Sequence, residues 1–414
     1  MDRSPLDLYK PDFWYTLAIA VLVLVPLKAP VVRKWAWAAI NLAFLGVLLG
    51  LPDWHHAREL LERQAWHDAA RLLGASDLMR VCGCILAAYV VLQMVQRRWL
   101  GTVSLLLGGL AVLTLFVIHK LPSTATVYRL ASVKSVLVAI GFSYVALRLV
   151  DALRLTHEGR HAAPDFPSTI NYLLPFHMLA AGPIQGYADF LAQPAVPAPL
   201  STSDALRAVE RIVLGLFKKY VIADLLEESL ITAFQAPFPY LAVETLLFYF
   251  WLYLDFSAYS DITVGAGRLI GVATPENFNR PYIARNLVDF WDRWHISLSQ
   301  FIYRNIFIPV QMALVRRTGP KSALWCAAVA YSVSFLLCGL WHGLDVRWAL
   351  WGMMHALGLV AVVWYRAWLK KRLSRETLSR YLAHRGIRLG ATILTQVYVA
   401  LTLLVATWPW GWSM

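Results

Sequence analysis

Ser322-Ala-Leu-Trp-Cys-Ala-Ala-Val-Ala-Tyr-Ser-Val-Ser-Phe-Leu-Leu-Cys-Gly-Leu-Trp-His342 runs for 21 residues without an Asp, Glu, Lys or Arg. A helix rises about 1.5 Å per residue and a bilayer core is about 30 Å thick, so about 20 apolar residues cross it. This stretch is therefore a membrane-crossing helix that ends on an ionisable side chain. Comparable runs lie outward from it at 13–32, 35–51, 78–95, 99–118, 130–150, 241–260, 345–365 and 388–408, with weaker ones at 169–182 and 206–223. The pattern predicts an all-α polytopic membrane protein with roughly 9 to 12 transmembrane helices.

Composition supports this. Of 414 residues, 59% are apolar and 15% charged, against about 45–50% and 25% in soluble domains. That excludes a disordered chain, a collagen, a coiled coil and a small disulfide scaffold. Net charge is 38 − 25 = +13, but the bases cluster between apolar runs, as loop charges do in membrane proteins, which argues against nucleic acid as a partner. Cys82, Cys84, Cys326 and Cys338 lie within apolar segments and read as packing residues, and no metal site is expected. Asp2, Asp7 and Asp12 precede the first apolar run, the wrong charge for a cleavable signal.

Domain organisation reads as one membrane domain over 1–414, with an N-terminal bundle 1–192, a stiff linker 193–200 (Gln193-Pro-Ala-Val-Pro-Ala-Pro-Leu200) and a C-terminal core 201–414. Lys28, Arg33 and Lys34 place the first short loop in the cytoplasm, and therefore the N-terminus outside. Arg97 and Arg98 read as cytoplasmic, as do Arg148, Arg154 and Arg160. So does the basic stretch 366–388, with Arg366, Lys370, Lys371, Arg372, Arg375, Arg380, Arg385 and Arg388. Trp408, Trp410 and Trp412 read as an interfacial anchor on the outer side. Residues 275–311 mix charges with aromatics, and are expected to be amphipathic or re-entrant structure lining a cavity.

Ionisable residues in spans are functional candidates by default, set against a hydrogen-bonded core residue as the alternative. His342 heads the list, since imidazole titrates near neutrality and suits a general base. In Phe290-Trp-Asp-Arg-Trp-His-Ile-Ser-Leu-Ser299, His295 and Ser299 are four apart and share a helix face. A Ser299 nucleophile with a His295 base is conceivable, but no acid or oxyanion-hole motif accompanies it, and binding of polar groups by Arg293 and His295 is the stronger reading. Asp255 and Asp261 are six apart and do not form a carboxylate dyad. The Gly-x-Gly at 265–267 follows no strand, so a dinucleotide reading fails. His355 lies inside a span and keeps functional weight; His177 reads as structural.

From 248 to 343 the sequence resembles the membrane-bound O-acyltransferase (MBOAT) family. Tyr253-Leu-Asp-Phe-Ser-Ala-Tyr-Ser-Asp261, Pro275-Glu-Asn-Phe-Asn-Arg-Pro-Tyr282, Phe290 to Ser299 and Leu340-Trp-His-Gly343 stand in the family's order and spacing, and Gly141-Phe-Ser-Tyr144 and Ala181-Gly-Pro-Ile184 resemble upstream elements. Its bacterial envelope branch fits best, which contains D-alanyl transfer proteins of teichoic-acid modification and alginate-type O-acetylases. Asn305 stands where both types usually have Asp, and Val310-Gln311 where the acetylase type usually has Gly-Gly. Length and end architecture favour the D-alanyl type.

The resemblance implies a ring of tilted helices around a central tunnel in a bacterial cytoplasmic membrane. It implies no bound cofactor, with the thioester donor itself as substrate: acetyl-CoA, or D-alanyl phosphopantetheine on an acidic carrier protein at the basic cytoplasmic face. It further implies an envelope-polymer or intermediate-carrier acceptor outside, and an extracytoplasmic partner. It makes His342 the catalytic base and His295 the second catalytic position, and assigns Arg293, Asp255, Asp261, Trp341, Ser299 and Asn277 to substrate binding. Two rivals are carried forward: a transporter or flippase with a proton relay through Asp255, Asp261 and His342, and a family member acylating a protein or lipid.

Overall fold

A computed structural model describes residues 11–49, 75–99, 101–120, 137–138, 141–227 and 241–407. Among the described residues the chain is helical with no strand; an isolated bridge joins Phe278 and Trp294. Five helices there are long and apolar enough to cross a membrane: 30–48, 78–96, 320–342, 346–372 and 385–407; 11–24 and 105–120 are shorter apolar helices. The Trp408–Trp412 anchor, and Asp2 and Asp7, lie outside the described residues.

The chain divides into two compact units, 1–212 with 263–275, and 213–262 with 276–414. In the first unit, helix α1 (Pro11–Leu24) stops before α2 (Pro30–Leu48). The apolar run 13–32 is thus cut, because Pro30 lacks the amide a continuing helix needs and is well placed in a first turn. Then come α3 (Ala75–Gln96), α4 (Thr102–Lys120), α5 (Phe142–His157), α6 (Phe166–Leu173), α7 (Tyr187–Leu191) and α8 (Thr202–Phe217), of which residues 213–217 count with the second unit. The weak 169–182 candidate is not a crossing: α6 ends at Leu173 and a single 3₁₀ turn, Phe176–Met178, follows.

Two of the expected loop charges are core residues instead. Arg33 sits inside α2, buried, and donates to the carbonyls of Leu24 and, at 2.6 Å, Ile270, each at or near a helix C-terminus where carbonyls lack partners. Arg148 is fully buried in α5 and donates at 3.0 Å to the carbonyls of Leu173, Met178 and Pro183. A guanidinium has five donors in a rigid fork, so one side chain fixes this whole irregular segment. The two upstream motifs meet there: a β-carbon on Gly141, which has φ +59°, would fall 2.4 Å from the Leu179 carbonyl oxygen, and one on Gly182 2.9 Å from the Tyr144 ring. The 193–200 stretch belongs wholly to this unit, with Pro197 seated on Gly271 and Gln193 exchanging hydrogen bonds with Ala273 at 3.0 and 3.1 Å.

The second unit contains the continuous helix α9 (Leu241–Ile270) as far as Ile262, and residues 263–270 count with the first. Then follow α10 (Leu287–Trp291), α11 (Ile296–Ile302), α12 (Ile308–Thr318), α13 (Ala323–His342), α14 (Val346–Arg372), α15 (Arg375–Ala383) and α16 (Arg385–Thr407). Residues 275–311 form these short helices and turns rather than a crossing. The most intimate packing is between α13 and α14. A β-carbon on Gly339 would lie 2.1 Å from the Trp348 carbonyl oxygen, and one on Gly352 2.1 Å from that of Phe335. Without side chains at both points the backbones touch, the usual route to close helix approach in a membrane, where no hydrophobic force draws apolar helices together.

Candidate active site

His342 is the last residue of α13, half-buried. The chain reverses over three residues into α14, whose first turn is capped by Asp345: its carboxylate accepts from the Arg347 and Trp348 amides at 2.8 and 3.3 Å. That cap starts α14 early enough to swing Trp348 back over His342, the rings stacked with centroids 5.0 Å apart. Trp341 and Trp351 meet the imidazole edge-on at 4.8 and 5.3 Å. Three indoles thus wall one histidine. Trp348 and Trp351 are three apart on one helix face, a spacing visible in the sequence but overlooked there, since tryptophan at a span end reads as an interfacial anchor.

His295 is buried and sits in the left-handed region at φ +43°, uncommon for a residue with a β-carbon. Asn277 holds it there. The Asn277 carbonyl accepts the Ile296 amide at 3.0 Å, its Oδ1 accepts the Ser297 hydroxyl at 2.6 Å and amide at 3.3 Å, and its Nδ2 donates to Ser260 at 3.4 Å. The His295 ring packs edge-on against Phe256 at 4.8 Å and faces Trp341 at 6.4 Å. Its Nε2 is buried with no hydrogen-bond partner among the described residues. Burial first, and His342 second, push the His295 imidazole down to about 3, so it is neutral at pH 7.

The other residues expected to bind substrate divide clearly. Trp341 lies between the two histidines. Asn277 spends its side chain on the His295 turn. Asp261 and Asp255 pair with Lys218 and Lys219, which lie on the π-helical turn Lys218–Ala223, and Lys218 also reaches Ser257 at 3.4 Å. Arg293 pairs with Asp289 at 2.6 Å and donates to the Asn279 carbonyl at 3.2 Å. The Ser299 hydroxyl donates to the Trp294 carbonyl at 3.4 Å, not to His295. Ser299 instead lines a cavity of about 280 Å³ with Trp291, Asp292, Tyr303, Tyr331 and Ser334. The Ser334 hydroxyl is fully buried with no partner among the described residues. Burial, then Asp289, raises the Asp292 carboxyl above its usual range, with Arg366 and Arg293 opposing.

The family profile described as MBOAT, membrane-bound O-acyltransferase family, matches residues 80–404. The chain belongs to that family. It is a multi-pass membrane protein. It is 26% identical over 240 residues to the teichoic acid D-alanyltransferase of Bacillus subtilis, covering 56% of this chain and 60% of that one. It is 30% identical over 232 residues to the probable alginate O-acetylase AlgI of Pseudomonas aeruginosa, covering 54% and 42%. It is also 35% identical over 153 residues to the peptidoglycan O-acetyltransferase of Helicobacter pylori, covering 35% and 27%. The matches thus span three-fifths or less of these relatives' lengths.

Proposed function

We propose that this membrane-bound O-acyltransferase family member moves a short acyl group, D-alanyl or acetyl, from a thioester donor on the cytoplasmic side of a bacterial inner membrane to a hydroxyl of an envelope polymer or intermediate carrier outside. The observation that supports it most is the pairing of a half-buried His342, walled by three indoles, with a buried neutral His295 whose Nε2 lacks a partner among the described residues. The relatives' names supply the acyl groups: D-alanyl for one, acetyl for two.

His342 accepts the proton of the acceptor hydroxyl as its oxygen attacks the thioester carbonyl carbon. Negative charge grows on the carbonyl oxygen, the carbon–sulfur bond breaks, and the leaving thiolate takes the proton back from His342. His295, neutral, presents Nε2 toward the polar group that develops charge; a buried polar atom left unmatched costs about 1–3 kcal/mol, so a substrate oxygen there relieves it. The 280 Å³ cavity, where Asp292, Ser299, Gln300, Tyr303, Tyr331 and Ser334 offer polar groups among apolar side chains, suits the slender arm that carries a thioester. The exposed basic surface from Arg366 to Arg388 suits an anionic donor, whether coenzyme A or an acidic carrier protein, and an extracytoplasmic partner completes delivery to the polymer.

The test offers membranes bearing wild type or His342→Ala radiolabelled acetyl-CoA and, separately, carrier-bound D-alanyl thioester. Label transfer with one donor, absent in His342→Ala, supports the reading and identifies the acyl group. Transfer that persists without His342 overturns His342 as the base.

A further inference from the structure

His355 is buried within α14, and both of its nitrogens are engaged. Trp291 Nε1 donates to its Nδ1 at 3.3 Å, and its Nε2 lies 2.9 Å from the Thr402 hydroxyl. An indole nitrogen can only donate, so Nδ1 must be the acceptor and the hydrogen of a neutral imidazole must sit on Nε2. Nε2 then donates to Thr402 Oγ1, and Thr402 sends its own hydrogen to the Val399 carbonyl at 2.7 Å. The chain of donors runs one way, from Trp291 on α10 through His355 to α16, and it fixes both tautomer and ring plane.

A satisfied buried histidine is usually only a packing element. Here its position gives it more to do. The Trp351 ring lies 4.6 Å from His355 and 5.3 Å from His342, between the two imidazoles. Trp351 Nε1 is buried with no hydrogen-bond partner among the described residues. Ring contacts therefore orient Trp351: His355, Trp348 at 5.8 Å and Trp291 at 6.1 Å. Two of those three, His355 and Trp291, are joined by the hydrogen bond at Nδ1. Phe335 also stacks on His355, at 6.1 Å.

We infer that His355 is a positioning residue for the reaction: locked as the Nε2–H tautomer by Trp291 and Thr402, it sets the Trp351 wall that aims the His342 imidazole. The inference rests on the acyl-transfer reading for its kinetic consequence, but not for its geometric one. A displacement of about 1 Å in a reacting group can slow turnover by about a hundredfold, and binding determinants elsewhere are untouched. His355→Phe keeps a ring of similar size and removes both hydrogen bonds. His355→Gln replaces the ring but restores one acceptor and one donor, spaced much as the two imidazole nitrogens are. Thr402→Val breaks the chain at its other end.

The experiment measures donor kcat and KM, melting midpoint, and the rate at which diethyl pyrocarbonate modifies His342, read by mass spectrometry of the intact membrane protein. Expected for His355→Phe are a kcat lower by about ten- to a hundredfold, a KM within about twofold, and a changed His342 modification rate. His355→Gln should recover most of the kcat. Thr402→Val should lower kcat less, and adding it to His355→Phe should cause no further loss. Wild-type kcat and an unchanged modification rate in His355→Phe would overturn the inference. So would losses in kcat and melting midpoint that move together in every variant, the mark of a purely structural residue. If wild type turns over no thioester, the acyl-transfer reading fails, while the modification rate still decides the geometric claim.

Discussion

Gly343 lies so close to Trp348 that a β-carbon on it would fall 2.2 Å from Trp348 Cδ1. The glycine that ends Leu340-Trp-His-Gly343 therefore has a steric purpose: it lets the indole of the next helix fold back onto His342. Gly343→Ala should push Trp348 away and loosen the imidazole, lowering the acyl-transfer rate by about tenfold or more, where one decade is about 1.4 kcal/mol. Because the residue ends a span and removes no hydrophobic surface, the amount of membrane-inserted protein should stay near wild type. Initial rates normalised to inserted protein check this; an undiminished rate contradicts it.

Asn277 separates two roles for a residue beside His295. It stitches the left-handed turn through three hydrogen bonds from its side chain. Asn277→Ala orphans buried groups at about 1–3 kcal/mol each. The melting midpoint in detergent should therefore drop by several degrees together with activity. Activity lost at an unchanged midpoint would return Asn277 to substrate binding.

The Lys218–Asp261 pair is partly buried, with side-chain exposures of 26% and 18%. Removing one partner strands a charge, whereas removing both does not. Asp261→Asn and Lys218→Met should each destabilise the protein by about 1–3 kcal/mol, below the range for fully buried pairs because water reaches both groups. The double variant should regain most of that stability and of the activity. A stable double variant with no activity would show that Asp261 acts on substrate.

Protonation of His295 opposes folding. Its folded-state value is pushed down to about 3 from an ordinary 6.5, by burial and then by His342. The neutral form is therefore favoured by the fold. The contribution is fully present above pH 6.5, declines as pH falls below it, and is lost toward pH 3. Melting midpoints should decline on acidification from pH 7 to pH 4.5, and the decline should be shallower in His295→Gln, which has no group to titrate. Equal slopes would remove His295 from the acid response.

The all-α membrane architecture is legible because long uncharged runs are unambiguous: Ser322–His342 corresponds to α13 almost residue for residue, and the 345–365 run marks the start of α14, which continues to Arg372. Orientation charges were less legible. Arg33 and Arg148 look like loop bases, yet each satisfies backbone carbonyls in the interior of its unit, a use of arginine that hydropathy cannot separate from a loop. His342 is legible as an ionisable residue at the end of an apolar run, and His295 through the motif Phe290 to Ser299. The partners that shape them are not legible in the sequence. Trp348, Trp351, Gly339 and Gly352 carry no charge, and their meaning depends on how two helices cross. The lysines facing Asp255 and Asp261 lie 36 and 43 residues away in sequence, beyond any local pattern.

The central claim is that His342 removes a proton so that a hydroxyl can take an acyl group from a thioester. Its most direct test is thiol release from the donor by purified protein in proteoliposomes, followed with and without a hydroxyl acceptor, for wild type and His342→Ala. The account predicts acceptor-dependent release by wild type that falls by about a hundredfold or more in His342→Ala, with the two proteins melting alike. Equal release from both proteins would contradict it.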